Sequence, residues 1–414
     1  MKNSLKFILA IFVTSAILCG CNNQTDNNSS VSDYQSSTIQ QSSSEVSENS
    51  IDTSLYIESS ETSVDTSSIY NFDKKYFVNK LDEDMLKNFV ALYNAVSNFQ
   101  EYVSFEQTIT VNELDTLMYL LNYDCPELIQ VSGDYFPEYI SNDEITNVSA
   151  VTFQYIMNED EYTDYMTQLN AFFDNLKTSV EGKSEFETEK YVYDLLFNNC
   201  VYNETDSLSG SVCGVLLKGK GRCESLSKSF LWCMQELDIE CMAFLGEPLW
   251  ESDSVYAKHS WNIVKIDGNY YHIDLTVDNI PTTENEINPA FYGFFNVDDS
   301  FISESHVIDP IYKELGLPEC NSTDYNYHIM NNLYIGESTD IESDLDKILT
   351  ENFDNGLENV SIKFSSYDDY CYITENIHDY TSNFLANISD IEYTYTNIYN
   401  DIAQTIIFDA EPKE

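Results

Sequence analysis

The stretch from His259 to Asp274, HSWNIVKIDGNYYHID, decides the fold of this chain. Apolar and polar residues alternate along it, and Asp267-Gly268 is typical of the two-residue turn of a β-hairpin. A two-residue turn places His259 opposite Thr276, two residues beyond Asp274. We therefore expect the imidazole and the carboxylate on one face of the hairpin and within reach of each other. A three-residue turn would shift the register by one and remove this alignment.

A cysteine opens the helix that comes before this hairpin. Gly219-Lys220-Gly221-Arg222 leads into Cys223, and apolar residues follow at helical spacing. The start of a helix carries unpaired N–H groups and a partial positive charge, which favour the reactive thiolate. The backbone N–H of Cys223 is also suited to hold an oxyanion.

A thiol, an imidazole and a carboxylate can form a nucleophile, its base and the group that orients the base. Cys223, His259 and Asp274 are the candidates for these roles. From the residues alone, His272 is an alternative base on the same face, and His306 is another further along. Each of these residues could also be an ordinary packing or turn residue.

Three short segments resemble the pattern of the transglutaminase-like superfamily, a group of papain-like cysteine enzymes. They are Gly221-Arg222-Cys223-Glu224, His259-Ser260-Trp261-Asn262 and Asp274-Leu275-Thr276. The resemblance extends from about residue 186 to 325. It implies that Cys223 is the nucleophile, that His259 and not His272 is the base, and that Asp274 orients it. At Ser225-Leu226 the chain departs from the Gly-Tyr found in many relatives.

The fold class that we predict is α+β, with a papain-like/transglutaminase-like core between two small α+β accessory regions. The predicted segments are a signal peptide and lipobox (1–21), a disordered Ser/Thr-rich tether (22–75), an N-terminal accessory domain (76–183), the catalytic core (184–324) and a C-terminal domain (325–414). Helical spacing predicts helices over 82–98, 112–122, 161–180, 184–198 and about 341–353. Strands are predicted at 128–131, 148–156, 241–245, 360–364, 391–395 and 402–408.

The first residues predict export. Lys2 and Lys6 precede an apolar run that is too short to span a bilayer permanently. Leu18-Cys19-Gly20-Cys21 resembles a bacterial lipobox, which implies a lipid on Cys21. We therefore expect an anchored protein on the extracellular face of the bacterial cell membrane.

The composition and the cysteine pattern exclude some classes of partner and ligand. The chain has 71 acidic and 19 basic residues and a formal net charge of −52, which argues against nucleic acid as a partner. The sequence holds no Cys-x-x-Cys and no Asp-x-Asp-x-Asp-Gly, so we expect no metal site and no cofactor. Among the cysteines, Cys200 and Cys213 flank a polar loop and are the favoured disulfide pair.

These observations predict a cell-surface cysteine enzyme that acts on amide bonds of peptides or proteins through an acyl-enzyme. Hydrolysis is favoured, because water is abundant outside the cell and nothing in the sequence specifies an acceptor for an amine. Protein cross-linking by acyl transfer to an amine is the alternative within enzymes. A non-catalytic surface binding or scaffold protein, gripping peptide or cell-wall polymer, is the alternative of another class.

Overall fold

The computed structural model describes residues 72–142, 145–250, 258–279, 291–336, 340–354, 359–388 and 393–413. The predicted signal segment, Cys21 and nearly all of the predicted tether lie outside the described residues. Within the described ranges, no helix combines the length and the apolar character needed to cross a bilayer.

The described residues form helices and mostly antiparallel sheets, which fits the predicted α+β class. The helices are Glu83–Ser97 (α1), Val111–Tyr123 (α2), Glu159–Ser179 (α3), Glu185–Asn199 (α4), Val212–Lys218 (α5), Cys223–Glu236 (α6), Leu275–Asp278 (α7), Asp299–Ile302 (α8), Pro310–Glu314 (α9), Tyr327–Met330 (α10), Ile341–Asp354 (α11) and Tyr367–Ile388 (α12).

The strands of the described residues form four sheets. They are Tyr102–Thr110 (β1), Val131–Asn142 (β2), Ile145–Tyr155 (β3), Val201–Tyr202 (β4), Lys220–Gly221 (β5), Cys241–Pro248 (β6), His259–Ile266 (β7), Asn269–Ile273 (β8), Phe295–Val297 (β9), His306–Ile308 (β10), Tyr334–Ile335 (β11), Asn359–Phe364 (β12), Tyr393–Asn400 (β13) and Thr405–Pro412 (β14). The strand orders are β1-β3-β2, β4-β5, β10-β6-β7-β8-β9 and β11-β12-β14-β13.

Side-chain caps set the starts of several helices. Ser184 accepts the N–H of Glu187, and Glu187 accepts the N–H of Ser184, which is the capping box that the sequence predicts for α4. The same reciprocal pair opens α2 at Thr110 and α3 at Asn158. These local signals explain why the predicted helices are close to the observed ones.

The hairpin has the predicted turn but a shorter ladder. Ile266 pairs with Asn269, as a two-residue turn requires, and the pairing runs back to Asn262 opposite Ile273. The expectation that His259 pairs with Thr276 is wrong, because β8 ends at Ile273. The chain turns there into α7.

Three sequence predictions fail for identifiable reasons. The predicted strand at 128–131 is mostly turn: Leu128 N–H donates to Cys125 O, and Val131 N–H donates to Leu128 O. The expected Cys200–Cys213 disulfide is absent, since both thiols are free and buried. The loop between them is held instead by Ser209 O, which accepts the N–H of Arg222. The last predicted strand, at 402–408, exists but begins only at Thr405, because residues 401–404 form a turn in which Ala403 N–H donates to Asn400 Oδ1.

Two hydrophobic cores hold the described residues. The larger core combines the N-terminal helices, α6 and the five-stranded sheet, with Phe89, Leu117, Phe230, Phe244 and Ile263 fully buried. The smaller core lies within the C-terminal four-stranded sheet and its helices α11 and α12. The predicted domain boundaries stay predictions.

Candidate active site

Two glycines place Cys223 at the start of α6. Gly219 ends α5 in the left-handed conformation, with a φ of 66°. A Cβ on Gly221 would lie 2.3 Å from Val215 Cγ2 and 2.5 Å from Ser225 Oγ. Cys223 follows as the first residue of α6, where the backbone N–H groups have no partner within the helix.

Ser225 fixes the backbone just before the cysteine. Its hydroxyl accepts the N–H of Arg222 at 3.0 Å and donates to Ser209 O at 2.5 Å. Ser225, at a position where many relatives have glycine, therefore caps α6 and holds the preceding loop in place.

The structure brings the three predicted site residues together. His259 begins β7, and its Nε2 lies 2.6 Å from Asp274 Oδ2. The Cys223 thiol lies near enough to the same imidazole to contribute to its raised pKa. Because Nε2 faces Asp274, Nδ1 is the ring nitrogen left for the thiol. His259 and Asp274 are buried, whereas Cys223 is only half-buried and so remains open to a substrate.

Asp274 reaches His259 from the start of a helix and not from a strand. Its Oδ1 accepts the N–H groups of Thr276 and Val277, at 2.9 Å and 3.2 Å, and so caps α7. Oδ2 is left to face the imidazole. The cap fixes the rotation of the carboxylate, which is why the contact forms although the ladder stops one residue earlier.

Electrostatics make His259 and Asp274 an ion pair. Burial alone would lower the pKa of His259, but the Asp274 carboxylate and the contact with Cys223 outweigh it and raise the pKa to about 10. Burial alone would raise the pKa of Asp274, yet His259 holds it well below its usual range. The imidazole is therefore an acid that can give a proton to a leaving group.

The comparison with protein families agrees with this geometry. Residues 174–275 match the model of the transglutaminase-like superfamily. This part of the chain is similar to a transglutaminase-like domain. The matched range runs from α3 to the start of α7 and contains Cys223, His259 and Asp274.

Other comparisons are more distant. No curated protein matches the chain. Among solved structures, a TGase shares 12% identity over 46% of this chain and 53% of its own, with a TM-score of 0.25. A candidate cysteine protease from Cytophaga hutchinsonii shares 13% over 35% and 63%, with a TM-score of 0.23. A candidate protease from Parabacteroides distasonis shares 11% over 37% and 35%, with a TM-score of 0.21. The chain thus spans less than two thirds of each of these proteins.

The two alternative bases, His272 and His306, have other partners. His272 Nδ1 accepts the indole N–H of Trp261 at 3.2 Å, so its Nε2 carries the proton and donates to Asp299 Oδ1 at 2.9 Å. His306 Nε2 lies 3.0 Å from Asp274 Oδ2. Of the three histidines, His259 is the one whose pKa is raised by the nearby Cys223 thiol.

The rest of the His-x-Trp-Asn segment ties the site to its surroundings. Ser260 Oγ lies 2.5 Å from Ser227 Oγ on α6. Asn262 Nδ2 donates to Ser227 O at 2.9 Å and to Met242 O at 3.1 Å. Because these bonds join β7 to both α6 and β6, they fix the distance between the helix with the thiol and the strand with the imidazole.

A charged network lies next to the nucleophile. Glu224 Oε2 accepts from Arg222 at 2.8 Å, and its Oε1 accepts from Lys228 and Asn122, both at 3.1 Å. Burial alone would raise the pKa of Glu224, but Lys228 and Arg222 lower it overall. Asn122 belongs to α2, so the N-terminal region contributes to the surroundings of Cys223.

Two clusters in the described residues contain metal-ligand types: His259, Asp274 and His306, and His272, Asp299 and Cys320. Tetrahedral zinc with bonds of about 2.0–2.1 Å holds its ligand atoms roughly 3.4 Å apart. The 2.6 Å between His259 and Asp274 is a hydrogen-bond distance instead. In the second cluster, the proton on His272 Nε2 blocks that atom as a ligand. Both clusters are hydrogen-bonded networks in this structure.

Sequence reasoning missed the partners that lie far along the chain. The contact of His306 with Asp274 depends on β10, a three-residue strand with no pattern of its own. Asn122 stands in an ordinary amphipathic helix. The sequence offers His306 only as an alternative base, and no local signal predicts its contact with Asp274 or a role for Asn122.

Proposed function

We propose that this protein is a cysteine enzyme that hydrolyses amide bonds in peptides or proteins, with Cys223 as nucleophile, His259 as acid and base, and Asp274 as orienting group. One observation carries the proposal: a half-buried thiol at a helix N-terminus lies beside an imidazole that pairs with a buried carboxylate. The match of residues 174–275 to the transglutaminase-like superfamily supports it.

The geometry suits a two-step reaction. The Cys223 thiolate attacks the amide carbon, and the first N–H groups of α6 are placed to receive the oxyanion. The C–N bond then breaks, and the His259 imidazolium gives its proton to the leaving amine. The acyl group stays on sulfur as a thioester.

Water completes the cycle. His259, now neutral, takes a proton from water as the hydroxyl oxygen attacks the thioester carbon. The C–S bond breaks, the carboxylic acid leaves, and the thiolate–imidazolium pair is restored. Asp274 stabilises the imidazolium in both steps. Acyl transfer to a primary amine is the second candidate, and the superfamily match supports it.

The place of action is also a proposal. The lipobox-like Cys21 and the Ser/Thr-rich stretch after it support a lipid-anchored enzyme on the extracellular face of the bacterial membrane. A peptide or protein substrate, cell-wall material included, fits this location. The acidic composition supports the absence of nucleic acid among its partners.

The test is a screen of quenched peptide substrates with and without a fluorescent primary amine. We expect wild-type protein to cleave or label a substrate, with a thioester on Cys223 seen by mass spectrometry. Cys223→Ala should lose the activity. Cys371→Ala is the matched control, because Cys371 is also free and half-buried but lies on α12. Activity that survives in Cys223→Ala would overturn the proposal, and a wild type with neither activity nor a reactive Cys223 would favour a binding protein.

A further inference from the structure

Two imidazoles share one carboxylate oxygen at the site. Asp274 Oδ2 lies 2.6 Å from His259 Nε2 and 3.0 Å from His306 Nε2. Oδ1 is taken by the cap of α7, so the carboxylate is surrounded by donors on both oxygens. All three side chains are buried, and water cannot replace a missing donor easily.

The second imidazole has a defined tautomer. A carboxylate only accepts, so His306 Nε2 must carry a proton to bond Asp274. On the other side of the ring, Ser305 Oγ lies 2.8 Å from Nδ1. In the neutral ring Nδ1 has a free lone pair and accepts the Ser305 hydroxyl proton. The contacts on both ring nitrogens therefore fit the neutral Nε2–H form.

The charges around His306 favour the neutral form. Burial, together with the charge of His259, lowers the pKa of His306 to about 4, although the Asp274 carboxylate acts in the opposite direction. His259 is the imidazole that carries the positive charge in this pair. The two rings thus differ in charge although they face the same oxygen.

Aromatic rings hold His306 in place. Its ring centroid lies 4.8 Å from those of both Trp250 and Trp261 and 5.2 Å from that of Phe294. A ring fixed on all these sides can direct its N–H to one point. The same packing means that a purely structural role must be separated from a directing one.

We propose that His306 is a positioning residue, which donates its Nε2–H to Asp274 Oδ2 and so keeps the carboxylate aimed at His259. A neutral donor on Oδ2 limits the rotation of the carboxylate without competing for the proton of the His259–Cys223 pair. The inference rests on the proposed function of that pair.

Two variants separate the donor from the ring. His306→Phe keeps an aromatic ring among Trp250, Trp261 and Phe294 but has no N–H. His306→Gln loses the ring but carries a terminal NH₂ at a distance along the side chain close to that of Nε2. We expect alkylation of Cys223 by iodoacetamide near neutral pH to slow at least about tenfold in His306→Phe and to stay within about threefold of wild type in His306→Gln. Equal losses in both variants, or no loss in His306→Phe, would overturn the inference.

A second readout does not depend on the thiol. Imidazole NMR of the full chain labelled with ¹⁵N-histidine should find His306 as the neutral Nε2–H tautomer at about pH 6, with a proton shift typical of a bond to a carboxylate. A charged ring or the Nδ1–H tautomer would contradict the proposal. If wild-type Cys223 reacts no faster than Cys371, the proposed function fails, and the tautomer then decides separately whether His306 holds Asp274.

Discussion

Replacing Asp274 by asparagine tests the electrostatics of the site most sharply. The asparagine side chain is nearly the same size, and its oxygen can still accept the N–H groups of Thr276 and Val277, so α7 keeps its cap. Its amide NH₂ would then face the N–H of His259. The variant therefore removes the negative charge and the acceptor of the imidazole while it preserves the local fold.

The size of the effect follows from the pKa of His259. Asp274 is the main group that raises this pKa from 6.5 to about 10. At about pH 7.5, a pKa of about 10 leaves roughly 0.3% of the rings neutral. A return to 6.5 would leave only about 10% of them protonated, so the charged form would fall about tenfold. Since one pKa unit is about 1.4 kcal/mol, the whole shift corresponds to roughly 5 kcal/mol.

The assay is an NMR titration of the His259 ring in ¹⁵N-histidine-labelled protein. We expect a midpoint near 10 in the wild type and at or below about 7 in Asp274→Asn. Asp299→Asn is the matched control, because it removes the carboxylate of the neighbouring His272 pair and leaves His259 with Asp274. A wild-type midpoint near 6.5, or a His259 midpoint that Asp274→Asn leaves unchanged, would refute the reasoning.

The remaining predictions concern stability. The raised pKa of His259 stabilises the fold fully below about pH 6.5, and this contribution is lost as the pH rises through about 10. The lowered pKa of Asp274 stabilises the fold only above its usual value of 3.8. Melting temperatures of wild type and Asp274→Asn should therefore differ most between about pH 3.8 and 6.5, and a difference that grows above pH 7 would contradict this. Gly221→Ala should lower the melting temperature by several degrees, because its Cβ would lie 2.3 Å from Val215 Cγ2, whereas Gly336→Ala, with its nearest atom at 3.9 Å, should melt like the wild type. Asn262→Ala should cost about 2–5 kcal/mol in denaturant unfolding, since it leaves two buried carbonyls without their donor, and a loss below about 1 kcal/mol would contradict the role of this residue. Burial raises the pKa of Glu189 to about 8, so the folded state keeps a proton that the unfolded state loses above about pH 4.5. The free energy of unfolding of the wild type should therefore fall by up to about 1.4 kcal/mol per pH unit between pH 4.5 and 8. Glu189→Gln should make this fall less steep.

The sequence predicts the elements whose signals are local. The capping box at Ser184, the Asp267-Gly268 turn and the glycines before Cys223 each act within a few residues, and the structure has all three. The pairing of Ile266 with Asn269 follows from the turn alone. Such features need no knowledge of distant segments.

The sequence does not predict what depends on contacts between distant segments. The long strand β1 and helix α12 have no counterpart among the predicted elements. Strand β1 buries only Val103 and Ile109, which leaves no alternation to read. Helix α12 does bury residues at helical spacing, so this signal is present in the sequence and was missed. The end of β8 at Ile273 escapes prediction for a different reason: the carboxylate of Asp274 caps α7, which competes with continuation of the ladder. Asp274 does lie near His259, as predicted, but it reaches the imidazole from the start of α7 and not from a strand.

The same reasoning explains why the sequence predicts only part of the site. Cys223, His259 and Asp274 are visible in the sequence because each begins or ends an element with a recognisable pattern. His306 approaches from a three-residue edge strand, and its partner Asp274 is 32 residues earlier. Only the order of the strands in the sheet brings the two together.

The central claim is that His259 activates Cys223. The most direct test is the rate of iodoacetamide alkylation at Cys223, read by peptide mass spectrometry from about pH 5 to 9 in wild type and in His259→Ala, with Cys371 in the same molecule as reference. We predict that wild-type Cys223 reacts at least about tenfold faster than Cys371 at about pH 6.5, and that His259→Ala removes this advantage. Equal reactivity of Cys223 in the two proteins across the whole range would contradict the claim.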